Sequence, residues 1–127
     1  MSTNEKDILY KDLSYKIVGL AIEIHNKLGY GFLEKVYENA LMLLFRREDI
    51  IAKQQTPISV YFEREIVGEY FSDILVENKI ILELKAIEKI TDVHKAQTLN
   101  YLKATGLRLA IILNFGKKKL EYKRIVL

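Results

Sequence analysis

Tyr70-Phe-Ser-Asp73-Ile-Leu-Val76-Glu-Asn78-Lys-Ile80-Ile-Leu-Glu83-Leu-Lys85-Ala86 holds the two strand-like runs around which the chain is organised. Ile80, Ile81 and Leu82 make an almost continuous apolar run, as in a central strand buried on both faces. Such a strand should close on further apolar residues, yet this one carries Glu83 and Lys85. Side chains alternate along a strand, so residues 83 and 85 share one face while Leu82, Leu84 and Ala86 take the other. A carboxylate and an ammonium on one face of a core strand are costly to desolvate unless they are paired or used. Asp73 interrupts an earlier strand-like run, Glu69 to Val76, and Asn78 tolerates the turn geometry needed between the two runs. Antiparallel pairing across that turn brings Asp73 near Glu83. Two carboxylates and a lysine meeting there suit a hard divalent cation; the plainer alternative is a buried structural ion pair between Asp73 and Lys85.

The 127 residues are expected to form a single domain, with residues 1–9 a frayed, flexible tail. At 50% hydrophobic and 29% charged, the composition is that of an ordinary globular protein. With no cysteine, a disulfide framework and a thiolate metal site are excluded, and two histidines supply too few ligands for a typical zinc centre. The N-terminus is polar and no apolar run approaches ~18 residues, so neither a signal peptide nor a membrane span is expected, and the cytoplasm is the expected compartment. The net charge of +3 is unevenly spread: Lys103, Arg108, Lys117, Lys118, Lys119, Lys123 and Arg124 face Glu121 alone at the C-terminal end. That basic end suits a polyanion, with a solvated hairpin tip as the alternative.

Taken in order, Leu13, Ile17, Leu20, Ile24 and Leu28 recur at helical spacing and predict an amphipathic helix over 10–28, ended by Gly29-Tyr30-Gly31. A second helix is expected over 32–48. Its apolar set (Leu33, Val36, Tyr37, Ala40, Leu41, Leu44, Phe45) is wide enough to lie between the sheet and the first helix, or at a subunit contact. Pro57 marks 53–62 as an edge strand. Glu63-Arg64 would turn it into the strand leading to Asp73, although neither residue favours positive φ. Thr91-Asp92 caps a helix over 93–105 that stops at Gly106. This helix would be the crossover joining strands 80–86 and 107–115 in parallel. A turn at Gly116 and three lysines leads into a last strand, 120–127. The expected fold class is α/β: an αβββαβ core on a mixed sheet, with an extra N-terminal helix and a C-terminal strand.

That core, with Asp on its second strand and Glu-x-Lys on its third, resembles the restriction-endonuclease-like PD-(D/E)xK nuclease superfamily. Gly31-Phe-Leu-Glu34-Lys-Val-Tyr37 is similar to the Gly-x-x-Glu-x-x-Tyr signature of the GxxExxY proteins. Ile24-His25-Asn-Lys-Leu28-Gly29, His94-Lys-Ala-Gln97-Thr-Leu-Asn-Tyr101-Leu102 and Leu113-Asn114-Phe115-Gly116 also resemble that family, so the likeness covers roughly residues 13–127. One departure is that Phe71-Ser72 precede Asp73 where the superfamily often has a proline.

The resemblance implies metal-dependent hydrolysis of nucleic acid, with DNA the expected substrate and Mg²⁺ or Mn²⁺ the cofactor. Asp73, Glu83 and the Leu84 carbonyl would hold the cation, and Lys85 would position or deprotonate the attacking water or stabilise developing charge. The resemblance also brings Glu34, on the second helix, to the same metal; its plain alternative is a favourable helix N-terminal charge. Gln97 and Tyr101 match the Gln-x-x-x-Tyr element of RecB-like members, which shapes the site and touches substrate; a packing pair is the alternative. His94 lies on nearly the same face, as a substrate contact or a surface residue. Lys117, Lys118 and Lys119 would touch phosphates. The eight tyrosines and Phe115 could stack on unpaired bases, but their spacings suggest core packing. A rival class is a non-catalytic nucleic-acid- or protein-binding module that keeps the fold. A domain this small would recognise DNA shape or ends, or work as a homodimer or in a larger complex.

Overall fold

The structure is a computed structural model and describes residues 8–127. Helices α1 (Lys11–Leu28) and α2 (Glu34–Arg47) precede strands β1 (Ala52–Phe62), β2 (Glu65–Val76) and β3 (Ile80–Lys85). Helix α3 (Asp92–Thr105) then leads to β4 (Leu109–Asn114) and β5 (Glu121–Val126). The five strands form one sheet in the order β1-β2-β3-β4-β5, antiparallel throughout except for β3 and β4. Pro57 lies on β1, an edge strand, the place in a sheet where a proline is tolerated. Helix α3 is the crossover required between the parallel β3 and β4.

Helices α1 and α2 cover one face of the sheet. Ile17, Leu20, Ala21 and Ile24 of α1, with Tyr37, Leu41 and Phe45 of α2, pack on Ile74, Leu82, Leu84, Ile111 and Leu113. On the opposite face Tyr101 and Leu102 of α3 pack on Ile58, Ile81 and Ala110. Alternation along β3 therefore assigns Leu82 and Leu84 to the α1/α2 side, and Ile81, Glu83 and Lys85 to the α3 side.

Several expectations shift. Residues 1–7 of the expected tail lie outside the described residues, whereas Leu9 packs against the core and its carbonyl accepts from the Arg124 guanidinium. The broad apolar set of α2 is not wholly enclosed: Leu33 and Val36 are exposed, because α2 turns only the Tyr37-Leu41-Phe45 stripe inward. On α1, Leu28 faces solvent and His25 is buried in its place, donating from Nε2 to the Lys117 carbonyl at 2.7 Å. Among the tyrosines, Tyr37 and Tyr101 join the core, while Tyr15, Tyr30, Tyr61, Tyr70 and Tyr122 are exposed. Glu63 and Arg64 do make the hairpin turn, at φ 50° and 72°, between the paired Phe62 and Glu65. Positive φ at both central positions matches the twist of the flanking strands, and here it overrides the residues' own preference.

Candidate active site

The β2–β3 ladder runs from Val76↔Ile80 to Ile74↔Leu82 and stops there. Beyond it, side chains occupy the gap. The Asp73 carboxylate accepts the Leu84 backbone N–H at 2.7 Å, and Glu83 Oε2 lies 3.4 Å from the Asp73 N–H. The two strands thus part where their carboxylates meet. Strand β3 remains paired with β4 as far as Lys85↔Asn114, so the carboxylate pair is mounted on a rigid central strand.

Burial gives this pair its electrostatics. Glu83 is only 8% exposed. Desolvation, then the neighbouring Asp73 charge, pushes its carboxyl up to about 8, against the partial opposition of the Asp73 N–H and Lys85. Asp73 is also raised, chiefly by desolvation, with the Leu84 N–H holding it back. Lys85 acts on both groups through its charge but forms no direct ion pair with either among the described residues. The structural Asp73–Lys85 salt bridge is therefore not what is found.

The α2 carboxylate whose charge acts on this pair is Glu38. Only 2% exposed, it accepts from Gln54 at 2.7 Å, from Gln55 at 3.2 Å and from Lys35 at 3.2 Å. Glu34 lies one turn earlier on the same helix and is half-buried. Gln55 reaches Glu38 from a left-handed backbone (φ 53°) in the middle of β1, a conformation that costs about 1–2 kcal/mol for a residue with a Cβ. Sequence reasoning missed both residues. A usable signal for Glu38 was its position between Tyr37 and Leu41 on the inward stripe of the helix.

The other expected residues fall into three places. Gln97 and Tyr101 lie on α3 over the same sheet face as Glu83, and Tyr101 packs with Ile81. Burial raises the Tyr101 phenol, and the Glu83, Tyr70 and Asp73 charges add to it, with Gln97 acting the other way. His94 serves its own helix, where its Nδ1 accepts the Thr91 N–H at 3.0 Å and closes a capping box at the start of α3. The exposed Lys117, Lys118 and Lys119 follow β4, and the parallel register puts them at the same end of the sheet as Lys85.

The signature residues act as braces. Gly31 adopts φ 117°, open only to glycine at low cost, in the α1–α2 connection. The Tyr37 hydroxyl donates to Gly29 O at 2.7 Å and accepts Phe32 N at 3.3 Å, while its ring lies 4.4 Å from that of Phe115. Asn114 clamps the segment after Lys85: Ile87 N donates to its Oδ1 at 3.0 Å, and its Nδ2 donates to Ile87 O at 3.1 Å.

Among the described residues, no three His, Cys, Asp or Glu side chains stand close enough to hold a metal ion by themselves. The donor set is two carboxylates whose charge nothing at the site fully balances. That is too few ligands for a closed cage, and it fits a hard divalent cation that keeps several waters. No helix among the described residues is long and apolar enough to cross a membrane.

No curated protein matches this chain. Among solved structures it is similar to the crystal structure of SSO0001, at 14% identity with a TM-score of 0.57 over 92% of this chain. The match takes in 57% of SSO0001, so this chain spans little more than half the length of that protein, and the likeness bears on the fold alone. A sequence profile of the PD-(D/E)XK nuclease superfamily matches residues 11–125. Since that match takes in all three helices, strands β1 to β4, β5 but for its last residue and the charged residues at the parting of β2 and β3, the chain belongs to the PD-(D/E)XK nuclease superfamily.

Proposed function

We propose that the protein is a metal-dependent nuclease that hydrolyses phosphodiester bonds in DNA, and that within the superfamily it groups with the GxxExxY proteins. The observation that carries this is the pairing of a half-buried Asp73 with a buried Glu83 at the point where β2 and β3 separate, with Lys85 on the same face and not consumed in an ion pair among the described residues.

Asp73, Glu83 and the Leu84 carbonyl would hold Mg²⁺ or Mn²⁺, the hard cations that this donor set suits. When bound, such a cation neutralises charge building on the phosphate and makes water more acidic. Lys85 donates to a phosphate oxygen or orients the attacking water. Glu38, fixed by Gln54 and Gln55, adds a further negative charge that acts on the pair, and Glu34, one turn earlier on α2, would approach the same cation, as the resemblance implies. Gln97 and Tyr101 line the approach from α3, and the Lys117–Lys119 turn meets phosphates beyond it.

Incubation with supercoiled, linear and branched DNA in Mg²⁺ or Mn²⁺ tests the proposal. Glu83→Gln and Lys85→Ala should each lower the rate by about 10²–10⁴-fold, as when a positioned catalytic group is lost. Both variants should keep the wild-type circular dichroism spectrum. Equal nicking by wild type and variants in equally pure preparations would overturn it. Among the described residues no third ligating side chain joins the pair, an arrangement that a binding module keeping the fold would share, and the response of the melting temperature to cations separates the two readings.

A further inference from the structure

The groove between the β1–β2 hairpin and α3 has the chemistry of a nucleobase pocket. Strand β2 pairs with β3 only through Ile74, Leu75 and Val76, so most of the hairpin stands clear of the rest of the sheet. Its register slips between Val60 and Tyr61, and Val67 is left opposite no partner, a bulge that breaks the alternation and re-aims the side chains beside it. A cavity of about 520 Å³ opens between this hairpin and α3, within the range of sites for small organic groups.

Three kinds of group line it. Tyr61 and Tyr70 are 62% and 46% exposed, and the Tyr70 ring lies 5.5 Å from that of the buried Tyr101 at 43°. Gln97 and Asn100, three residues apart on α3, bring amide donors and acceptors to the same wall. Lys103, three residues further on, adds an ammonium. Flat rings, amide edges and one cation match in turn a base, its hydrogen-bonding edge and its phosphate. The groove also lies on the same sheet face as the candidate active site. Tyr101 packs on Ile81, which is one pleat from Glu83 on the same strand face, roughly 7 Å along β3.

We infer that this groove binds an unpaired nucleotide next to the scissile phosphate, which makes single-stranded DNA (free strands, flaps or frayed ends) the substrate class. A base within a duplex has both faces stacked and its Watson–Crick edge paired, so neither its faces nor that edge are open to such a wall. The inference rests on the proposed hydrolysis for the identity of the neighbouring site, but its test needs no turnover.

The full chain is titrated, with Ca²⁺ in place of Mg²⁺, against a fluorescein-labelled strand of about 20 nucleotides, long enough for one domain's footprint. The same strand annealed to its complement, and the strand carrying abasic positions, are compared with it. The free strand should bind at least tenfold more tightly than either. Tyr61→Ala and Tyr70→Ala should each weaken strand binding about 5–100-fold, the range expected for one stacked base, and leave duplex binding unchanged. Tyr61→Phe should retain binding, because stacking needs only the ring. Tyr61 is exposed, so its variants keep the wild-type melt and any loss of affinity is local.

Equal affinity for strand and duplex, or Tyr61→Ala and Tyr70→Ala that bind the strand like wild type, overturns the inference. Cleavage of duplex by a protein with those binding results leaves the hydrolytic proposal standing without the pocket. Tyrosine-dependent strand binding by a protein that cuts nothing in Mg²⁺ or Mn²⁺ leaves the pocket standing and overturns the hydrolysis.

Discussion

Replacing Glu83 by glutamine in the metal-free protein should make it more stable at alkaline pH, and the structure sets the size of the gain. The Glu83 carboxyl is pushed from 4.5 to about 8, first by burial and then by the Asp73 charge. Below pH 4.5 it is protonated in both the folded and the unfolded chain. Between 4.5 and about 8 the unfolded chain has released that proton while the folded one keeps it, so folding stability falls as pH rises and levels off above 8. At about 1.36 kcal/mol per pH unit that interval sets an upper limit near 5 kcal/mol, and a loss of about 2–5 kcal/mol is expected. Asp73, raised for the same reason, acts in the same direction. Glu23, Glu48 and Glu121 are lowered instead, the first two mainly by Arg47 and Lys16 and the last by Asn114 and Ile90 N–H against its own desolvation. Their contributions are present above the ordinary carboxylate range and are lost only as pH falls below it, outside a pH 5–9 window. A glutamine cannot ionise, and it can still accept the Asp73 N–H. In EDTA, therefore, the melting temperatures of wild type and Glu83→Gln should lie close together at pH 5 and separate by roughly 6–20 °C at pH 8.5–9, the variant being higher. Melts followed by circular dichroism across that window measure the separation. A gap that does not widen with pH, or a variant that melts lower throughout, would refute the electrostatic account of the site.

A cation bound only by the folded state should raise the wild-type melt by roughly 3–8 °C at ~10–100 times its Kd. Asp73→Asn should melt above the metal-free wild type and respond little to Mg²⁺, Mn²⁺ or Ca²⁺; three unmoved wild-type melts would favour the binding module instead. Changing Lys117, Lys118 and Lys119 to serine should weaken DNA binding regardless of sequence and flatten its dependence on salt, and an unchanged slope would mean the turn touches no phosphate. At Gly116 a Cβ would stand 2.3 Å from the Ile87 backbone nitrogen, a contact with main chain that cannot swing aside. Gly116→Ala should therefore lower the melting temperature by several degrees and displace Lys85 through the Asn114 clamp, whereas a variant as stable and active as wild type would show the segment free to yield.

Most of the fold was legible because it rests on local periodicities. Alternation alone put Glu83 and Lys85 on one face of β3, a period of three to four residues identified the helices, and a helix between two apolar strands required the parallel pair. Proline at residue 57 found the edge. Where expectation and structure part, the cause is long-range. Glu34 and Glu38 lie one turn apart on the same helix, and spacing cannot tell which of them is buried. The choice depends on how far α2 is shifted and rotated against the sheet, which Gly31, the Tyr37 hydroxyl and the Tyr37–Phe115 contact settle from two separate parts of the chain. The strained Gln55 and the exposed Tyr61 and Tyr70 were out of reach for the same reason. A left-handed residue inside a strand, and a hairpin extending past its neighbours, follow from how the elements pack and not from any residue's own preference. Residue order thus dictates which side chains are able to share a face, since that follows from the repeat of one helix or strand. Which of them meet at the site is set by packing, because it depends on the relative placement of elements far apart in the chain.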